Sequence, residues 1–230
     1  MTEPKASLRP PLPASFPGRL TTGYEAFRDG RYKFEHSRYK RLAAEGQKPQ
    51  IMIIGCSDSR VSPEVIFDAG PGEIFVVRNV ANIVPPYTPD GETHGTSAAL
   101  EFAVVALAVR HIVIMGHGRC GGIAAALGAG DPLTPTDFIG KWVSVLDDTA
   151  ERVRCDHAIA PSLRYTALEH EAIKVSLGNL LDYPFVKARV TSGDLALHGA
   201  WFDVSEGALH VLDRDSGDFA VLAGTLPLEP

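Results

Sequence analysis

Two uninterrupted apolar runs constrain this chain more than anything else in it: Ile51-Met52-Ile53-Ile54 and Ile112-Val113-Ile114-Met115. Neither alternates with polar residues, so neither has a face for water, and such strands belong in a sheet covered on both sides. Helix-like stretches separate and follow them. Ser62-Pro63 pairs an N-cap with proline at the first helical position, opening a short helix over 62–68. Gly70-Pro71-Gly72 then turns the chain into a strand at 73–78, followed by a proline-broken loop at 79–91. Gly95-Thr96-Ser97 opens an apolar helix to about residue 109, and Gly121-Gly122 opens another that fades at 128–130. Residues 138–154 and 163–181 carry apolar side chains at helical spacing. This alternation predicts an α/β fold with a mostly parallel central sheet flanked by helices. Residues 195–204 and 208–213, joined across Ser205-Glu206-Gly207, complete it as a strand and a hairpin partner, giving about four parallel strands plus an antiparallel edge strand.

The ends of the chain differ from this middle. Residues 1–17 hold five prolines and no apolar core of a signal sequence, which predicts a flexible proline-rich arm. From 18 to 46, Leu20, Tyr24, Phe27, Phe34, Tyr39 and Leu42 are interleaved with charges, as in an amphipathic helical arm broken near Gly30. That arm packs either on its own domain or on a partner subunit. Residues 18–230 are expected to form a single domain.

Charge and cysteine content exclude several classes. A net charge of -6 argues against a nucleic acid or an anionic membrane as partner, since each needs a basic face. No apolar run approaches the roughly 20 residues of a membrane span. Three cysteines without an export signal suit a reducing compartment, and the expectation is cytoplasmic.

Chemistry concentrates where the two apolar runs end. The first runs into Cys56-Ser57-Asp58-Ser59-Arg60 and the second into His117-Gly118-Arg119-Cys120. Cys56, His117 and Cys120 offer two thiolates and one imidazole, a zinc ligand set that leaves the fourth tetrahedral position for water or substrate. His117 and Cys120 sit three apart, so one strand-to-helix turn can aim both at one ion. If the two strands are neighbours, Cys56 joins them at a topological switch point, where open α/β sheets bind ligands. Zinc in such a site makes hydroxide available near neutrality, though two thiolates cancel the ion's formal charge and shift the expected activity toward alkaline pH. Arg60 can hold Asp58 in a bidentate pair, leaving a carboxylate oxygen either to accept a hydrogen bond from the zinc-bound hydroxide or to become the fourth ligand.

Taken together, Cys56-Ser57-Asp58-Ser59-Arg60, Arg78-Asn79-Val80-Ala81-Asn82 and Gly116-His117-x-x-Cys120-Gly121-Gly122 resemble the β-class carbonic anhydrases, closely over about 47–127. The resemblance implies a zinc enzyme, one Zn2+ per subunit, that interconverts carbon dioxide and bicarbonate by zinc-hydroxide attack. It implies Cys56, His117 and Cys120 as ligands and Asp58 and Arg60 as the catalytic dyad, with Asp58 also able to bind zinc in a closed state. Gln47, Phe75, Val80, Phe102 and Gly121 match positions lining the carbon dioxide cleft, part of which a dimer partner supplies. The family assembles as dimers or multiples of dimers. Some bacterial members carry a regulatory bicarbonate site; this chain keeps Arg78 but has Ile53 and Phe202 at the other two positions, so that regulation is not expected. The run Asn79 through Tyr87 is closer to the plant-type branch, whose site is usually open.

Other readings of these residues carry less. Close relatives within the class act on carbon disulfide or carbonyl sulfide. A non-catalytic structural zinc protein would need Asp58 as a permanent fourth ligand. Gly116-x-Gly118-x-x-Gly121 formally meets the dinucleotide-binding fingerprint, but the acidic residue some twenty positions on, Asp137, lies among prolines instead of ending a strand. Cys155 falls in a charged stretch that reads as a solvated helix end, and His94 reads as a loop histidine beside a helix start.

Overall fold

The computed structural model describes residues 16–128 and 132–222; the expected proline-rich arm lies outside them except for Phe16 and Pro17. The chain divides into two compact units with the boundary between Gly46 and Gln47. In the first, α1 (Gly18–Asp29) and α2 (Arg31–Glu45) break at Gly30, where the sequence places the break. The Phe27 ring meets Tyr32 and Tyr39 across the break, at 5.7 and 6.1 Å between centroids. Neither helix buries a residue, and Leu20, Tyr24 and Phe34 stand exposed.

The second unit runs β1 (Ile51–Cys56), α3 (Pro63–Ile66), β2 (Ile74–Asn79), α4 (Gly95–Glu101), β3 (His111–His117), α5 (Gly121–Leu127), α6 (Phe138–Val143), α7 (Asp147–Cys155), α8 (Arg164–Leu180), α9 (Pro184–Thr191), β4 (Ala196–Phe202), β5 (Leu209–Leu212) and β6 (Phe219–Val221). The sheet order is β2-β1-β3-β4-β5-β6. Its first four strands pair parallel and the last two antiparallel. The antiparallel edge thus has two strands where the sequence suggested one: β6 spans three residues, too few for an alternating pattern to register.

Both faces of the sheet are covered, as the unbroken apolar runs require. Met52, Ile54, Ile112 and Ile114 pack with Leu100, Val104, Ile173 and Leu180. Ile53 and Met115 point the other way, into Ile123, Leu146 and Leu168. Each such side chain stabilises the fold by roughly 1.5–3 kcal/mol on leaving water. The odd and even residues of one strand therefore serve two separate cores.

Helix ends depart from the sequence reading in three places. The helix from Gly95 does not run to residue 109 as regular α: it passes into a π turn at Phe102–Ala106, and Ala108 adopts φ 54°. The stretch 138–154 is two helices joined by a 3-10 turn at Ser144–Leu146. Ser62 occupies the N-cap position of α3, but its hydroxyl donates to Glu64 Oε2 at 3.0 Å instead of capping a backbone N–H.

Candidate metal centre

β1 and β3 are adjacent and parallel, with Gly55 paired to Met115. Their carboxyl ends, Cys56 and His117, therefore emerge side by side, between strands whose chain connections diverge. From His117 the chain turns through Arg119, held at φ 58°, and Cys120 becomes the residue that caps α5. The ligand atoms of Cys56, His117 and Cys120 lie within 4.8 Å of one another, all three residues buried.

Two distances test whether an ion fits. The sulfurs of Cys56 and Cys120 are 3.8 Å apart, and a tetrahedral ion with bonds of about 2.3 Å holds two sulfurs about 3.8 Å apart. His117 donates through Nδ1 to the Gly118 carbonyl at 2.9 Å, which fixes the ring and leaves Nε2 as the free nitrogen. That Nε2 is buried and has no hydrogen-bond partner among the described residues. A buried polar atom without a partner costs free energy unless something satisfies it, and a cation between two thiols does so. The donor set fits zinc.

The electrostatics run the same way. Hydrogen bonding from Cys120 lowers the pKa of the Cys56 thiol against the opposing effect of burial, while the Cys56 thiolate pushes Cys120 up. Burial opposes charge on His117, but the Cys56 sulfur and Asp58 carry its pKa above the ordinary value. Without a cation the two thiols compete for one ionised state, and a bound cation would let both carry charge.

Asp58 sits at the rim of this cluster, its Oδ2 4.0 Å from His117 Nε2. Arg60 holds it three times: Nε to Oδ1 at 2.9 Å, Nη2 to Oδ2 at 2.7 Å, and the backbone N–H to Oδ1 at 3.0 Å. These bonds keep the Asp58 carboxyl well below the usual carboxylate range. Arg60 Nη2 also donates to the Arg119 carbonyl at 3.1 Å, so one guanidinium ties the two strand-end loops together. Arg78 on β2 braces the first loop, donating to the carbonyls of Cys56 and Asp58 at 2.8 and 2.5 Å.

The remaining sequence-predicted positions fall into separate groups. Val80 and Gly121 line one cavity of 940 Å³ with Gly122 and Val143. Phe75 and Phe102 pack on each other at 6.0 Å between ring centroids, with Phe102 half exposed. Gln47 is exposed just before β1. Ile53 is buried in the core and Phe202 ends β4.

One residue escaped the sequence reading. Glu169 on α8 is buried, accepting from the Cys120 backbone N–H and the Trp201 indole N–H, each at 3.1 Å. Its signal was a carboxylate on the buried stripe 169, 172, 173, 176, 180 of an amphipathic helix.

An open, mostly parallel α/β sheet carrying two thiols and an imidazole at its switch point defines a class of metal-centred α/β protein. The comparisons narrow it. A family model described as carbonic anhydrase matches residues 51–209. Beta carbonic anhydrase 3 of Arabidopsis thaliana is 38% identical over 201 residues, covering 86% of this chain and 77% of that protein. Among solved structures, the beta-carbonic anhydrase CcaA superposes with a TM-score of 0.83 at 31% identity, covering 91% of this chain and 93% of its own. A tetrameric beta-carbonic anhydrase of Sordaria macrospora gives 0.64 at 30% identity, covering 90% and 93%. The chain belongs to the β-carbonic anhydrase family, whose members are zinc-dependent lyases and whose general reaction is the hydration of carbon dioxide.

Proposed function

We propose that this chain hydrates carbon dioxide reversibly to bicarbonate and a proton, with one zinc ion held by Cys56, His117 and Cys120. The observation that carries this reading is the buried, unpartnered Nε2 of His117 beside two sulfurs 3.8 Å apart. Zinc, when bound, acts as a Lewis acid that brings the pKa of water from 15.7 toward about 7 and so supplies a nucleophile. The chain's own residues do the rest.

Cys56 and Cys120, as thiolates, offset the ion's two positive charges, so activity rises toward alkaline pH. Asp58 accepts a hydrogen bond from the reacting water and orients it. Arg60 holds that carboxylate away from the ligand set, which favours an open site over one closed by Asp58. A product proton leaves to buffer.

The cleft that admits carbon dioxide is built between two copies of the chain. Val80 and Gly121 contribute one wall, and Phe75, Phe102 and Gln47 of the other copy contribute the opposite one. The half-exposed Phe102, which packs on Phe75 and lies outside the lining of the cavity that Val80 and Gly121 share, supports that division. A dimer or a multiple of dimers follows, in line with the tetrameric Sordaria relative. Two free thiols at the centre suit the reducing cytoplasm.

Stopped-flow carbon dioxide hydration from about pH 6.5 to about pH 9, on protein of measured zinc content, tests the reading. Turnover should scale with zinc and rise with pH. No turnover at full zinc occupancy would reject it.

A further inference from the structure

Glu169 is 2% exposed, yet it carries a carboxylate into the interior beside the metal cluster. Both of its oxygens face donors: Oε1 takes the Cys120 backbone N–H and Oε2 takes the Trp201 indole N–H, each at 3.1 Å. An ionised carboxylate is acceptor-only at both oxygens, whereas an amide of the same shape turns an NH2 toward one of the two donors. The position therefore favours a carboxylate over glutamine, which fills the same volume but can accept from only one of the two donors.

The three partners come from three different elements. Glu169 belongs to α8, Trp201 to β4, and Cys120 to the turn that leaves β3. α8 is fixed against the sheet by Ile173 and Leu180 in the core. Trp201 is itself buried and meets the rings of His170 and His210 edge-on, at 5.0 and 5.1 Å between centroids. The carboxylate thus transmits the position of a rigid helix and a rigid strand to one backbone N–H, that of Cys120. The turn needs such a tether, because Arg119 next to it sits at φ 58°, a conformation that L residues adopt only under constraint.

We propose that Glu169 is the positioning residue of Cys120: by holding its backbone, the carboxylate aims Sγ at Cys56 Sγ with the 3.8 Å spacing that a tetrahedral ion demands. Trp201 fixes the carboxylate in turn. This inference rests on Cys120 being a zinc ligand. Groups that orient metal ligands from outside the ligand set change metal affinity when removed, by about 10- to 100-fold.

The experiment compares the full chain with Glu169→Gln, Trp201→Phe and Cys120→Ser. Zinc affinity is read by competition with a chelator, and cobalt-substituted protein is read by its absorption spectrum, which reports ligand geometry independently of turnover. Glu169→Gln should bind zinc about 10- to 100-fold more weakly and show an altered cobalt spectrum. Trp201→Phe, which frees one carboxylate oxygen while keeping an aromatic ring, should weaken zinc by a smaller factor. A Glu169→Gln protein that melts earlier but keeps native zinc affinity and the native cobalt spectrum would overturn the proposal, leaving Glu169 a packing residue. Where Glu169→Gln does not fold, Trp201→Phe decides: unchanged zinc affinity and cobalt spectrum overturn the proposal as well. A wild-type chain without tight zinc binding, or a Cys120→Ser protein binding zinc as tightly as wild type, would bring down the ligand assignment itself, and this inference with it.

Discussion

Arg60 grips both carboxylate oxygens of Asp58, Nε on Oδ1 at 2.9 Å and Nη2 on Oδ2 at 2.7 Å, while the same Oδ2 stands 4.0 Å from His117 Nε2. The carboxylate is poised between two partners, and the guanidinium decides which one it serves. Arg60→Ala removes the grip and lets Asp58 turn onto the metal as a fourth ligand. Turnover should fall by about 100-fold or more, on the scale of losing one positioned charged group at a reacting centre, and inhibition by azide should weaken because the open position is taken. Asp58→Asn should keep zinc and lose turnover by a similar factor. Measuring carbon dioxide hydration, zinc content and azide inhibition together separates the two variants; an Arg60→Ala protein with native rate and azide sensitivity would contradict the role given to the pair.

Cys56→Ser and Cys120→Ser each replace a thiolate with a hydroxyl that ionises far less readily and binds zinc poorly. Zinc content and activity should be lost together in both. The check is metal analysis of the purified variants after dialysis beside their hydration rates. Retention of full zinc and full rate in either protein would rule out that cysteine as a ligand.

The cluster of Cys56, His117 and Cys120 was legible in the sequence because these residue types carry chemistry that the surrounding apolar runs do not, and because each sits at or just past the point where such a run stops. The strands themselves were legible for the same reason: Ile51 to Ile54 cannot be half wetted, and the two cores on either side of the sheet are what that run required. Helix ends were not. Nothing in Phe102-Ala103-Val104-Val105-Ala106 marks a π turn, since its apolar spacing suits a regular helix equally well. β6 and α9 were too short, or too close to turn residues, for periodicity to find.

Glu169 shows a different limit. In sequence it is one carboxylate in an amphipathic helix, a pattern that usually marks a solvated face. Only the donors that Cys120, in the turn after β3, and Trp201, on β4, bring to it distinguish it, and those come from residues 49 and 32 positions away. Its significance is tertiary, so no local pattern could carry it. Phe75 and Phe102 likewise entered through family resemblance, not through any chemistry of their own.

Gly122 gives a packing prediction close to the site. A Cβ there would lie 2.6 Å from Val80 Cγ1 and 2.9 Å from Ala81 Cβ. Ala81 cannot retreat freely: it is fully buried, at φ 63°, in a turn closed by Asn79, whose side chain both donates to and accepts from the Ile83 backbone at 2.8 and 2.9 Å. Gly122→Ala should therefore cost about 1–3 kcal/mol as overpacking, and urea denaturation measures it. A loss below about 0.5 kcal/mol, the range of ordinary surface substitutions, would mean that α5 shifts to accommodate the methyl.

His170 gives a pH prediction that zinc chemistry does not share. Burial, then the neighbouring His210 and Lys174, lower its pKa from 6.5 to about 4, against the opposing pull of Glu171. Its ring lies stacked on Phe219 at 4.2 Å and edge-on to Trp201 at 5.0 Å. Between those two pKa values the unfolded chain binds a proton at this site and the folded chain does not, so stability rises with pH through the window and is lost as pH falls from about 6.5 toward about 4. With its partial exposure discounted, the contribution is on the order of 2 kcal/mol at most. His170→Phe keeps the stack on Phe219 and removes the proton site. Denaturant unfolding of both proteins at several values across that window should therefore give a shallower pH dependence for the variant, whereas equal slopes would mean that the folded chain protonates His170 as readily as the unfolded one does.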